Sequence, residues 1–113
     1  MKLIIAVIRP EKLGAVQAAL SKREVYLMTV TDVRGCGRSR GYTEVYRGAE
    51  IQVRLLPKLK LEIAVNEAYV QPTVDAITSG GRTGQIGDGK IFVLDLDRCI
   101  RIRTGEEGCE AIG

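Results

Sequence analysis

Histidine and tryptophan are absent from this 113-residue chain, phenylalanine occurs once, and aromatic residues make up only 4%. Without histidine, neither a Ser–His nor a Cys–His catalytic pair can be assembled. The same absence argues against a zinc site, because the only cysteines are Cys36, Cys99 and Cys109 and no Cys-x-x-Cys pair occurs. An odd number of widely spaced cysteines does not build a disulfide framework, so these read as reduced thiols. The shortage of aromatics leaves little to stack on nucleic-acid bases. No apolar run approaches the roughly 20 residues of a membrane span. The first ten residues lack a small-residue cleavage site and read as a strand, so a cytoplasmic protein without membrane insertion is expected.

What remains is an ordinary globular balance, with 45% hydrophobic and 27% charged residues. That suffices for one domain spanning residues 1–113. A net charge of +3 is too small to imply nucleic acid, but it suits a local anion site.

Residues 3–8 form a continuous apolar run of strand length. Pro10 and Glu11 mark a helix start, and Leu13, Val16 and Leu20 give that helix one apolar stripe ending near Arg23. Residues 25–34 are rich in β-branched side chains and predict a second strand. From Gly35 to Leu56, glycines break up the chain and arginines make it basic without a clear element, and a loop of about twenty residues is usually functional or mobile. Residues 58–66 alternate: Leu59, Leu61, Ile63 and Val65 share one face, Lys58, Lys60 and Glu62 the other. A second helix follows, with Asn66 as its cap, although Pro72 requires it to start late or to kink. A last strand covers residues 91–97. The order strand, helix, strand, long loop, strand, helix, strand predicts an α+β, ferredoxin-like βαββαβ sandwich with helices on one face.

Chemistry concentrates in Thr83-Gly84-Gln85-Ile86-Gly87-Asp88-Gly89-Lys90-Ile91-Phe92. Its three glycines allow tight turning and bare N–H groups, and Lys90 adds a charge, which together make a phosphate cradle or a plain tight turn. Arg101 and Arg103 would share one face of an extended chain and could grip phosphate in pairs, or simply decorate an edge strand. Gly35-Cys36-Gly37-Arg38 permits close approach of a ligand, or forms a bulge. Lys58 can pair with a carboxylate or stay solvated. Glu106 and Glu107 read as solubilising charge in a tail.

Taken together, these motifs resemble the PII signal-transduction proteins over essentially the whole chain. Thr83-x-x-x-Gly87-Asp88-Gly89-Lys90-Ile91-Phe92 matches one family signature in full. Tyr46-Arg47-Gly48-Ala49-Glu50 matches most of the other, and Gly105-Glu106-Glu107-Gly108 after Arg101-Ile102-Arg103 resembles the family's C-terminal loop. The resemblance implies a homotrimer that binds ATP or ADP, with Mg2+ accompanying ATP, in clefts between subunits, and that is not an enzyme. It implies that Gly87, Asp88, Gly89 and Lys90 of one subunit (loop about 82–90) cradle phosphates while Arg101 and Arg103 reach in from a neighbour (loop about 101–113). Gly35, Gly37 and Arg38 would line the nucleotide, and Thr29 and Ala64 would meet the adenine. Lys58 would hold a carboxylate of 2-oxoglutarate. The long loop, about 36–56, would be the T-loop that docks on an ammonium transporter or a nitrogen-metabolism enzyme or regulator, using Tyr46, Arg47, Glu50 and Ile51.

Three positions depart from the family pattern. Ile51 stands where many bacterial relatives carry a uridylylated tyrosine and has no hydroxyl to modify; Ala49 likewise cannot be phosphorylated. Ser39 replaces a glutamine that helps hold the magnesium bridging ATP and 2-oxoglutarate. Its shorter arm predicts weaker 2-oxoglutarate binding. Two other functions share the strand order. An RNA-binding module would need strand aromatics. An acylphosphatase-like enzyme would need an arginine anion loop with glycines, which Arg9-Pro10 lacks, and a positioned asparagine, for which Asn66 is the sole candidate.

Overall fold

Strand β1 (Lys2–Ile8) ends at Arg9, where Pro10 fixes a helical φ and starts a 3-10 turn, Pro10–Lys12, that runs into helix α1 (Leu13–Lys22). Strand β2 (Thr29–Gly35) is followed by a hairpin of β3 (Thr43–Tyr46) and β4 (Ala49–Gln52), then by β5 (Leu56–Val65). A 3-10 turn, Glu67–Tyr69, leads into α2 (Val70–Gly81), and β6 (Lys90–Asp95) and the short α3 (Cys109–Ile112) complete the chain. This computed structural model describes residues 1–36, 43–46, 49–52 and 55–113, with the hairpin strands known by backbone alone.

The four long strands form one antiparallel sheet in the order β2-β5-β1-β6. In chain order that is the 2-3-1-4 arrangement of a ferredoxin-like fold, as the element order predicts. The alternation in β5 puts Leu59, Leu61, Ile63 and Val65 against the helices together with Ile4, Ala6, Ile8, Val16, Leu20 and Ile77. Leu61, Ile4, Val16 and Leu20 are fully buried. Burying each such side chain favours folding by about 1.5–3 kcal/mol. The helices meet at Gly80, where an added Cβ would lie 2.8 Å from the Ala15 carbonyl oxygen and 2.8 Å from Val16 Cα.

Three expectations need correction, and one alternative is decided. The segment 25–34 is strand only from Thr29, because α1 closes with Glu24 at φ 62°, and its cap bonds Glu24 N–Ser21 O and Val25 N–Leu20 O turn the chain before it can pair. The long loop is not without elements, since β3 and β4 pair within it, Tyr46 opposite Ala49 and Thr43 opposite Gln52. Of the two courses that Pro72 left open for α2, the late start is the one found: the 3-10 turn absorbs Glu67–Tyr69, so Pro72 falls in the first turn, where no N–H bond is lost. Asn66 makes no side-chain cap; its Nδ2 instead donates to the Cys109 carbonyl at 3.1 Å and ties down α3.

Candidate functional site

The glycine-rich loop between α2 and β6 is wound around the carboxylate of Asp88. That carboxylate accepts bonds from the Thr83 hydroxyl, from Thr83 N at 2.8 Å, from Gly84 N at 2.9 Å and from Arg9 Nε at 3.0 Å. These bonds, the Thr83 hydroxyl first, hold the carboxyl well below the usual carboxylate range. Gly84, Gly87 and Gly89 adopt φ of 87°, 106° and 101°, which a β-carbon disfavours. Gly89 is doubly required, since a Cβ there would come within 1.7 Å of the Val7 carbonyl oxygen. Asp88 therefore organises the loop from inside, and only its backbone is left to face a ligand.

In front of the loop lies a cavity of about 510 Å³ whose wall includes Gly35, Cys36, Leu56, Lys58, Gly87, Gly89 and Lys90. The antiparallel register explains the gathering: Gly35 lies opposite Leu56 and Val33 opposite Lys58, while Lys90 lies opposite Val7 on the far side of β1. Lys58 Nζ donates to the Gly87 carbonyl at 2.7 Å, so this lysine braces the loop as well as facing the cavity. Val7, Ile86 and Phe92 supply apolar wall. Two ammonium groups and a glycine-rich backbone within one concave space complement an anion. Of the expected site residues, the structure brings together Gly35, Lys58, Gly87, Asp88, Gly89 and Lys90.

It separates others. Thr29 pairs with Glu62, and Ala64 with Leu3, toward the opposite end of the sheet. Lys58 and Ala64 stand six positions apart along β5, about 20 Å of extended chain. A distinct cavity of about 250 Å³ sits at that end, bounded by Leu27, Ala64, Ile112 and Gly113. Arg101 lies beside it, its guanidinium 3.2 Å from Glu106 and donating to the Glu110 carbonyl at 2.9 Å. The extended presentation of Arg101 and Arg103 is not found: Gly105 N bonds to the Arg101 carbonyl at 2.7 Å and closes a turn, with Arg103 exposed. Glu106 and Glu107 are not idle charge either, because Glu107 bonds Arg98 at 2.7 Å and Glu106 engages Arg101. Gly37, Arg38, Ser39 and Arg47 lie outside the described residues. Tyr46, Glu50 and Ile51 are placed as strand positions only, Glu50 opposite Val45 and Ile51 opposite Glu44.

Arg9 is the contact that residue patterns missed. It enters the sequence only as an arginine without glycines, yet it touches Asp88 and also donates to the Ile86 carbonyl at 2.9 Å. The signal lay in strand pairing: an antiparallel β1–β6 pair puts the residue after β1 beside the segment before β6. The three cysteines are free thiols. Among the described residues no cluster of three His, Cys, Asp or Glu could hold a metal, and no helix is long and apolar enough to cross a membrane.

The sheet face away from the helices carries Leu3, Ile5, Phe92 and Leu94 in register across β1 and β6. Phe92 and Leu94 are 50% and 44% exposed. In the single chain this apolar sheet face is left partly open.

Comparison with known proteins agrees with this architecture. Residues 1–106 match the family described as nitrogen regulatory protein P-II. The chain is 54% identical over 112 residues to nitrogen regulatory protein P-II 1 of Escherichia coli, covering 99% of this chain and 100% of that protein. It is 52% identical over 112 residues to nitrogen regulatory protein P-II of Rhizobium etli, with the same coverage. It is 53% identical over 114 residues to nitrogen regulatory protein GlnK1 of Methanosarcina mazei, covering 99% of this chain and 97% of that one. These relatives are named as regulators and not as enzymes, and the chain, matched over residues 1–106 by the family and over 99% of its length by these relatives, belongs to the P-II family of nitrogen regulatory signal-transduction proteins.

Proposed function

We propose that this chain senses adenine nucleotides as a homotrimer and passes the result to nitrogen-metabolism targets through the loop at about 36–56. One observation carries the reading: the 510 Å³ cavity joins the phosphate-type loop to both roots of that long loop, with Gly35 and Cys36 at one root and Leu56 and Lys58 at the other. A ligand held there touches both roots and can favour one loop conformation over another by its differential contacts. The donor set suits ATP or ADP, because Lys58, Lys90 and the amides near Gly87 and Gly89 oppose several negative charges. Mg2+ would accompany ATP. 2-Oxoglutarate would bind weakly, as Ser39 replaces the longer ligand.

Assembly follows from two supports. The open apolar sheet face around Phe92 and Leu94 favours burial against other copies. Thr29 and Ala64 lie toward the other end of the sheet from the loop of their own chain, and Arg101 lies beside the cavity there, whereas a neighbouring copy could offer them, and the exposed Arg103, to that loop's ligand. The target is an ammonium transporter or a soluble enzyme or regulator of nitrogen metabolism, met in the cytoplasm by a protein that does not itself insert in the membrane.

Calorimetry with Mg-ATP, paired with sedimentation, tests the reading. Lys90→Ala and Arg103→Ala should each weaken binding about tenfold or more, the usual loss for a charge-assisted contact to phosphate. The sedimenting species should remain a trimer. Native affinity in both variants, or a native chain that runs as a monomer, removes the assignment.

A further inference from the structure

We propose that Arg9 is the positioning residue of the nucleotide loop, fixing the direction in which the loop's amides point without touching the nucleotide itself. This rests on the nucleotide reading above and deepens it.

Arg9 leaves the end of β1 and makes two bonds to the loop: Nε to Asp88 Oδ1 at 3.0 Å and an η-nitrogen to the Ile86 carbonyl at 2.9 Å. Both side chains of the ion pair are largely covered, 23% and 24% exposed. A trans peptide is planar, so a carbonyl and the N–H of the next residue point in opposite directions. Holding the Ile86 carbonyl against Arg9 therefore turns the Gly87 N–H away from Arg9. Lys58 does the same one peptide later: it holds the Gly87 carbonyl at 2.7 Å and turns the Asp88 N–H the other way. Two successive peptides are thus oriented by two cations from different strands, β1 and β5. Glycine at positions 84, 87 and 89 lowers the cost of the required φ values but also lets the loop adopt others, so something must select among them.

Arg9 suits the task better than lysine. Its planar fork bonds a carboxylate and a carbonyl at once, whereas an ammonium on a flexible stem holds one of them well. Its charge is already met by Asp88, which leaves it a weak direct partner for a phosphate.

The test compares the native full-length chain with Arg9→Gln, Arg9→Lys, Asp88→Asn and the Arg9→Gln/Asp88→Asn double variant. Mg-ATP affinity is read by calorimetry, adenosine affinity by NMR titration, and loop opening by amide hydrogen exchange over residues 84–89 without nucleotide. Arg9→Gln should weaken Mg-ATP roughly tenfold and leave adenosine unchanged, since adenosine offers the loop no phosphate. Arg9→Lys should fall between the two, which keeps the test usable if Arg9→Gln folds poorly. The double variant should lose little beyond Asp88→Asn alone, because both substitutions break one connected network. Exchange over residues 84–89 should rise in Arg9→Gln. Additive losses, or tighter Mg-ATP binding in Asp88→Asn, would make Arg9 a direct phosphate contact and overturn the inference. Adenosine weakening in step with Mg-ATP would reduce Arg9 to general folding and overturn it too. A native chain that fails to bind Mg-ATP sinks the nucleotide reading and this one together; a native chain that binds, alongside an unaltered Arg9→Gln, sinks this one alone.

Discussion

Two glycines of the same loop make unequal demands, and alanine at each separates backbone strain from steric overlap. Gly84 and Gly89 have similar dihedrals, φ 87° and φ 101°. A Cβ on Gly84 meets nothing within 4 Å, whereas one on Gly89 lies 1.7 Å from Val7 O and 2.8 Å from Val7 C. Both substitutions carry the cost of positive φ on an L-residue, about 1–2 kcal/mol. Only Gly89→Ala must also move strand backbone, because the obstacle is a carbonyl inside the β1 ladder and no rotamer relieves it. Overpacking of that kind adds about 1–3 kcal/mol or more. Gly84→Ala should therefore cost about 1–2 kcal/mol and Gly89→Ala about 2–5 kcal/mol, the sum of those terms. Urea unfolding at fixed protein concentration reads both, and an unchanged slope would show that the folded and unfolded states kept their extent. Equal losses in the two variants would mean that β1 does not press on the loop, and the geometry argued for Gly89 would be wrong.

Gly80→Ala gains helix propensity but forces a Cβ to 2.8 Å from the α1 backbone, so it should destabilise by about 1–3 kcal/mol in the same urea assay. Glu24→Gly relieves a positive φ at the end of α1 and should stabilise by about 0.5–1 kcal/mol, seen as a higher thermal midpoint. Asp88 has its pKa lowered on folding, so its contribution to stability is fully present above the ordinary carboxylate pKa and fades as pH falls below about 4 toward its folded value. Unfolding followed from pH 6 to pH 2.5 should accordingly show a shallower acid loss in Asp88→Asn than in the native chain. Ser39→Gln should tighten 2-oxoglutarate binding in the presence of Mg-ATP, measured by calorimetry; tight binding by the native chain, unchanged in the variant, would refute the role assigned to Ser39.

The parts of the fold that could be read from residues were those governed by one simple period. β5 alternates so cleanly that its buried face, Leu59, Leu61, Ile63 and Val65, was assigned residue by residue, and the stripe Leu13, Val16, Leu20 did the same for α1. The hairpin was missed because strands of four residues such as Thr43-Glu44-Val45-Tyr46 are too short for a period to register among glycines and arginines. The start of β2 was misplaced because Val25 is apolar for packing, 6% exposed, and not for pairing. In the site, the glycines and Lys90 were legible from local chemistry. The reach of Arg9 was not, since it depends on residues more than seventy positions apart meeting across β1 and β6, and the inward turn of Asp88 was not, since Thr83 and Gly84 donate to its carboxylate only in the wound loop. The turn at residues 101–105 was missed for a related reason: two arginines spaced by one residue say nothing about the carbonyl that Gly105 will find.

The press of Gly89 against Val7 bears on how this loop could be borrowed. A peptide copied from residues 82–90 and spliced into another scaffold would carry its glycines and its lysine but leave behind the strand that dictates their path. The portable module is discontinuous: the end of β1, the start of β5 and the glycine turn travel together or the graft arrives limp.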